Sequence, residues 1–299
     1  MIVIIGAGIT GLLLGNKYKD NSILIEEQPD AGGVYLVNEI GGNKITLAPP
    51  VLDKIDHINL SSLGLKYREL KLYQVFEKRE YLKEKICNEN ECDLPSWLKL
   101  FEKEKIYFVE NFADIVEKLK SNLKIIRGYP IRITRNNYLI TNRGNSFHFN
   151  KLINTGSLLK LLNLLGERTD DLSYISAHIT VLLTKRMKYN WNVLITGSKG
   201  ISFSHIFRLD NEETSILYIY SFFKGAKAPE LKRTLLDLKK KKLVMPDDVL
   251  AFRTRIIKEA ILLNKPKELQ LPSTIVSCGR LGKWENISLA EAINESVNC

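Results

Sequence analysis

The chain opens on an apolar run, Ile2-Val3-Ile4-Ile5, that stops at glycines. Apolar side chains on both alternating faces are the pattern of a parallel strand covered on two sides. Helical spacing follows over 9–19. Ser22-Ile23-Leu24-Ile25-Glu26 is a second β-branched, apolar run, so the chain predicts a βαβ start. Residues 34–48 predict two extended pieces about Gly41-Gly42, and Pro49-Pro50 breaks the chain before a short helix over 51–58. Over 66–85 charged and aromatic residues interleave as in exposed antiparallel strands.

Apolar residues at 112, 115, 116 and 119 predict a helix over 112–123. Strands follow at 124–127, 130–134, 137–141 and 146–149, with a turn over 142–145, then one more buried strand over 152–155. Alternating strands at 178–183, 192–196 and 216–222 precede helices over 229–241 and 247–263. A strand over 273–278, a loop over 279–285 and a helix over 289–297 complete the chain. The fold class is therefore α/β: a Rossmann-like domain with a parallel sheet, plus a smaller α+β cap domain with a mixed or antiparallel sheet. The first is expected from 1–58, 110–168 and 270–299, and the second from 59–109 and 169–269.

Composition narrows the class. Across 299 residues the apolar and charged fractions are those of a globular protein, and two lobes are expected. Residues 1–14 lack a basic leading region and read as a buried strand and helix, not a signal, and no run reaches the roughly 18 apolar residues that span a bilayer. A cytoplasmic protein is expected. The four cysteines show no C-x-x-C spacing and the four histidines are scattered, so no metal site is expected. In a reducing cytosol Cys87 and Cys92 are expected as free thiols, although they are close enough in sequence to bridge. Scarce glutamine beside abundant Lys, Glu and Ile points to a thermophilic source.

The net charge of +10 favours anionic partners, but it is spread along the chain. The run Lys239 to Lys242 ends a helical stretch, where cations suit the helix C-terminus. No basic motif with interleaved aromatics supports nucleic-acid binding. Peripheral contact with a membrane through the basic surface stays open.

Gly6-Ala7-Gly8-Ile9-Thr10-Gly11 lies between the first strand and its helix, with Gly15 four residues on. Gly6 permits a tight turn, Gly8 lets backbone approach a pyrophosphate, and Gly11 and Gly15 let the helix pack closely on the sheet. Phosphates would sit at the helix N-terminus, where free N–H groups favour anions. Glu26, 20 residues after Gly6, ends the second strand where a carboxylate accepts hydrogen bonds from an adenosine ribose, and it would repel the phosphate of NADP. Glu27 is the neighbouring alternative.

Two further segments extend this motif. Glu26-Glu27 is followed by Gly32-Gly33, which lets backbone pass an extended cofactor, and then by Gly41 to Pro50. Near the end stands Cys278-Gly279-Arg280-Leu281-Gly282-Lys283-Trp284, with capping-box spacing at Ser288 and Glu291. These residues resemble the FAD-dependent flavoprotein amine oxidase superfamily, in its protoporphyrinogen oxidase-like and UDP-galactopyranose mutase-like branches. Val34 departs from the basic residue often found after the glycine pair.

The resemblance implies that FAD is the cofactor, with the Gly279-Arg280 turn beside its pyrophosphate and ribityl chain and the next helix aimed at the flavin from Ser288. It implies that Trp284 walls the flavin, with an ordinary core tryptophan as the alternative, that Ile131 offers backbone groups to the adenine, and that the chain crosses to the substrate lobe after the strand ending at Thr155-Gly156. The substrate lobe is short for the family. The activity implied is an FAD-dependent oxidoreductase taking hydride from a small-molecule substrate, with the electron acceptor and the oligomeric state left open and no catalytic residue assigned. A mutase-like non-redox flavoenzyme and a flavin-binding assembly or membrane-surface protein are the alternatives.

Overall fold

In a computed structural model that describes residues 1–53, 63–87, 92–265 and 269–299, the first strand (Ile2–Ile5) lies at the centre of a five-stranded, wholly parallel sheet. The strand order runs Ile275–Ser277, Lys151–Asn154, Ile2–Ile5, Ser22–Glu26, Ile125–Arg127. Successive side chains of a strand point to opposite faces. Ile4, Leu24 and Ile153 accordingly pack under the helices Ile9–Tyr18, Phe112–Ser121 and Leu289–Asn298, while Val3, Ile23, Leu152 and Ile275 pack under the helix Leu158–Leu165 and Trp284. An antiparallel meander (Pro130–Ile133, Tyr138–Thr141, Ser146–His148) bridges two strands of the sheet, as expected.

The second large sheet has six strands in the order Val249–Leu263, Ser173–Lys185, Thr214–Phe223, His205–Asp210, Val193–Thr196, Gln74–Glu77. It is antiparallel except for its last pair. One face packs on residues of 82–101, and the helix Leu231–Lys240 covers the other.

Several expectations are corrected. Residues 249–263 form the long edge strand of this sheet, not a helix: eleven residues pair with Ser173–Lys185 across two bulges. Val51–Leu52 is a strand against Lys105–Val109, and the remainder of the helix expected over 51–58 lies outside the described residues, apart from Asp53. Tyr67–Lys71 and Gln74–Glu77 do not pair with each other: the first joins Lys105–Val109, the second lies parallel to Val193–Thr196, and Leu82–Cys87 is helical. The loop expected over 279–285 is a short helix, Gly279–Lys283.

The cysteines also differ from expectation. Cys87 is joined to Cys92, and Cys278 to Cys299, leaving no free cysteine among the described residues. The second pair forms because the closing helix lies back along the first, where Tyr18 Oη and Lys151 Nζ donate to the Cys299 carbonyl and bring it over the end of the Ile275–Ser277 strand. No helix among the described residues is long and apolar enough to cross a membrane.

Candidate cofactor and substrate cavity

The C-terminal ends of the central strands meet three glycine turns. The Gly6 N–H donates to the Ile25 carbonyl at 2.8 Å and the Gly32 N–H to the Ala7 carbonyl at 2.7 Å, so the turn at Gly6 and the turn at Gly32 are stitched together, with Gly8 bridged to Gly32. A Cβ on Gly33 would stand 3.2 Å from the Gly8 Cα, and one on Gly11 would run into the Gly6 carbonyl oxygen. Close approach of backbone to backbone is therefore what these glycines supply.

The helix Ile9–Tyr18 begins at Gly8 with no side-chain cap and no acidic residue in its first turn. Its first N–H groups point out of the helix end without a protein acceptor from the cap, and the dipole biases them toward an anion. The closing helix Leu289–Asn298 is capped instead, with the Ser288 N–H donating to Glu291 Oε2 at 2.6 Å and the Glu291 N–H to Ser288 Oγ at 3.3 Å.

Glu26 is held at the other end of the turn. Its Oε2 accepts the Ala7 N–H and its Oε1 the Gln28 N–H, both at 2.7 Å. Burial raises its pKa, and the two backbone bonds work against that rise. Each oxygen keeps a lone pair, and the carboxylate borders a small polar recess with Gln28, Asp30, Lys120 and Arg127. Glu27 points away and pairs with Lys160.

From the Gly8 turn a cavity runs between the parallel sheet and the six-stranded sheet. Gly8, Ile9, Thr10, Gly11, Gly32, Gly33, Thr155, Arg280 and Ser288 all border it. Gly6 and Gly156 lie just behind, where a Cβ on Gly6 would sit 3.0 Å from the Gly156 nitrogen, and Gly279 backs onto Thr10. Arg280 Nη1 donates to the Ala260 carbonyl at 3.1 Å. Burial pulls the guanidinium down to about 10, and the nearby Glu259 carboxylate pushes it back. Glu259 accepts from Ser157 Oγ at 2.7 Å, and burial raises its own pKa.

Two further expected contacts, Trp284 and Ile131, are also off this wall. Trp284 is 2% exposed in the core beside Val3 and Leu158, with Nε1 donating to the Leu263 carbonyl at 2.8 Å. Its left-handed backbone turns the ring inward at the end of its short helix, so it is a core side chain. Ile131 stands in the antiparallel meander with its side chain 52% exposed and borders neither recess.

The far wall comes from residues outside the glycine motifs and the closing segment. Trp97, Leu100 and Phe101 come from short helices over 96–102, and Ala177, Ile179, Tyr220, Ile257 and Ala260 from three strands of the six-stranded sheet. Tyr35, Ala48 and Pro49 close the side nearest the glycine turns. None of these positions carries a motif, and their meeting depends on the sheet register.

No family model matches the sequence, and no curated protein matches it. Solved structures do match across 99% of the chain. A protein of Exiguobacterium sp. assigned as a protoporphyrinogen oxidase aligns with a TM-score of 0.71 at 12% identity over 97% of its length. A reduced UDP-galactopyranose mutase gives 0.72 at 13% over 92%, and a putrescine oxidase variant 0.68 at 9% over 97%. This chain has the fold of these neighbours. The cavity fits an extended anionic dinucleotide: glycine backbone forms its cradle, an uncapped helix end faces the phosphate position, and a guanidinium lies further along.

Proposed function

We propose that this protein binds one non-covalent FAD per chain and acts as an oxidoreductase that takes a hydride from a small organic substrate. The uncapped N-terminus of the helix Ile9–Tyr18, opening through a glycine cradle into a long apolar cavity, carries this reading. When bound, FAD supplies hydride acceptance at its flavin ring. The residues of the chain do the rest. Gly8 and the first N–H groups of its helix hold the pyrophosphate, Glu26 accepts from the ribose, and Arg280 offsets negative charge. Apolar side chains on both sheets exclude water from the reacting end.

A mutase-like reaction would need donors for a nucleotide sugar. The cap-sheet wall offers Ala177, Ile179, Tyr220, Ile257 and Ala260, which favours oxidation over that reading. The purified protein is expected to be yellow, to release FAD on heating, and to bleach when mixed anaerobically with a true substrate. NAD or FMN in the released fraction would sink the proposal, and FAD that no donor reduces would leave a binding protein.

Glu26→Ala is expected to weaken FAD binding by about 1–3 kcal/mol, since a buried charged acceptor disappears from both the turn and the ribose. Glu27→Ala removes only a surface pair with Lys160 and is expected to change affinity by less than about 0.5 kcal/mol. Flavin titration of the two apoproteins checks this, and equal losses would contradict it.

A further inference from the structure

The far half of the cavity bears on substrate class, and the argument rests on the proposed function in taking the near half for FAD. Its wall is made by Trp97, Phe101, Ala177, Ile179, Tyr220 and Ile257. Among the described residues no Asp, Glu, Lys or His lines the cavity, and Arg280 is the one charged side chain on it. Tyr220 and Trp97 carry the polar side-chain atoms of this half, a phenol and an indole N–H. Burial holds the Tyr220 phenol well above the ordinary range, so it stays neutral.

The rings are already engaged with each other. Tyr220 lies 6.0 Å from both Trp97 and Phe101 and stacks on Phe222 at 6.3 Å with planes 12° apart. An ammonium entering here would find ring faces partly taken by neighbours, a guanidinium of the same sign and no carboxylate. A carboxylate would find Arg280 donating to the Ala260 carbonyl, lying beside Glu259 and, on the proposed function, committed to the negative charge of the cofactor in the near half. Either ion would lose its water without gaining a partner, which is the costly case for burial of charge.

We infer that the half of the cavity beneath the six-stranded sheet takes an uncharged, largely hydrocarbon molecule and rejects ammonium- and carboxylate-bearing relatives of the same skeleton. Three probes that share one ring separate these cases: indole, tryptamine and indole-3-acetate, titrated calorimetrically into the protein as purified. Indole is expected to bind at least about tenfold more tightly than either charged relative, a gap of roughly 1.4 kcal/mol. Ile257→Trp, which fills this half from the edge strand, is expected to weaken indole about tenfold while flavin content stays that of the parent. Tryptamine or indole-3-acetate binding as tightly as indole would overturn the inference, and so would the absence of indole binding at millimolar concentration. The parent titrations decide the matter even if the variant does not fold. Flavin content, read from visible absorbance, is scored separately. A colourless protein that still prefers indole would remove the FAD reading and leave the charge preference standing, whereas a yellow protein that prefers an ion would do the reverse.

Discussion

Gly8→Ala is expected to fold at near-parent stability and bind FAD at least about tenfold more weakly, whereas Gly11→Ala is expected to lose stability and cofactor together. The two glycines are three residues apart in one motif, yet their surroundings differ. Gly8 has φ −71° and ψ −177°, a conformation open to alanine, and a Cβ there would meet no atom within 4 Å. Alanine at this helix start costs at most about 1 kcal/mol. The new methyl, however, stands at the cavity wall beside the helix end, where the pyrophosphate of the proposed function must come close. At Gly11 the Cβ would strike the Gly6 carbonyl oxygen and lie 2.9 Å from Thr155 Oγ1. The helix would have to lift from the strand, and overpacking of this kind costs about 1–3 kcal/mol. Urea unfolding and flavin titration on both variants test the contrast. Full FAD affinity in Gly8→Ala, or parent stability in Gly11→Ala, would refute it.

This contrast also shows what the sequence could and could not reveal. The parallel sheet was legible because its strands are short, apolar on both faces and bounded by glycines, and the closing helix because Ser288 and Glu291 cap it through local bonds. Residues 249–263 misled because Val249, Leu250, Phe252, Ile256, Ile257, Ala260 and Ile261 satisfy a helical stripe as well as a strand. Pairing with Ser173–Lys185 decides between them, and that partner is over 60 residues away. The motif around Trp284 leaves a flavin wall and a core position both open, because it does not specify the left-handed backbone at that residue. The wall of Trp97, Phe101, Tyr220 and Ile257 was invisible for a third reason. Each is an ordinary apolar residue, and only two-sheet packing makes them neighbours.

Acid is expected to destabilise the protein through His205, a group outside the cavity wall. Its ring is 1% exposed among Phe101 and Phe222, with Nδ1 2.9 Å from Ser204 Oγ, and Nε2 has no hydrogen-bond partner among the described residues. Burial, helped by the Lys85 ammonium, pulls its pKa down to about 3. In the unfolded chain the imidazole titrates near 6.5. The folded state therefore binds fewer protons than the unfolded state between those values. The stability associated with the neutral ring is present above about pH 6.5 and is lost as pH falls toward 3. Two pH units below 6.5 correspond to about 3 kcal/mol. Carboxylates titrate in the same range, so the comparison is between parent and His205→Phe, which keeps a ring of similar volume in an aromatic site. Urea unfolding at pH 7.5 and 4.5 is expected to show a fall in stability smaller by about 3 kcal/mol in the variant than in the parent. Equal falls would mean that His205 is protonated in the folded protein, and that its unpartnered nitrogen finds an acceptor when the pH drops.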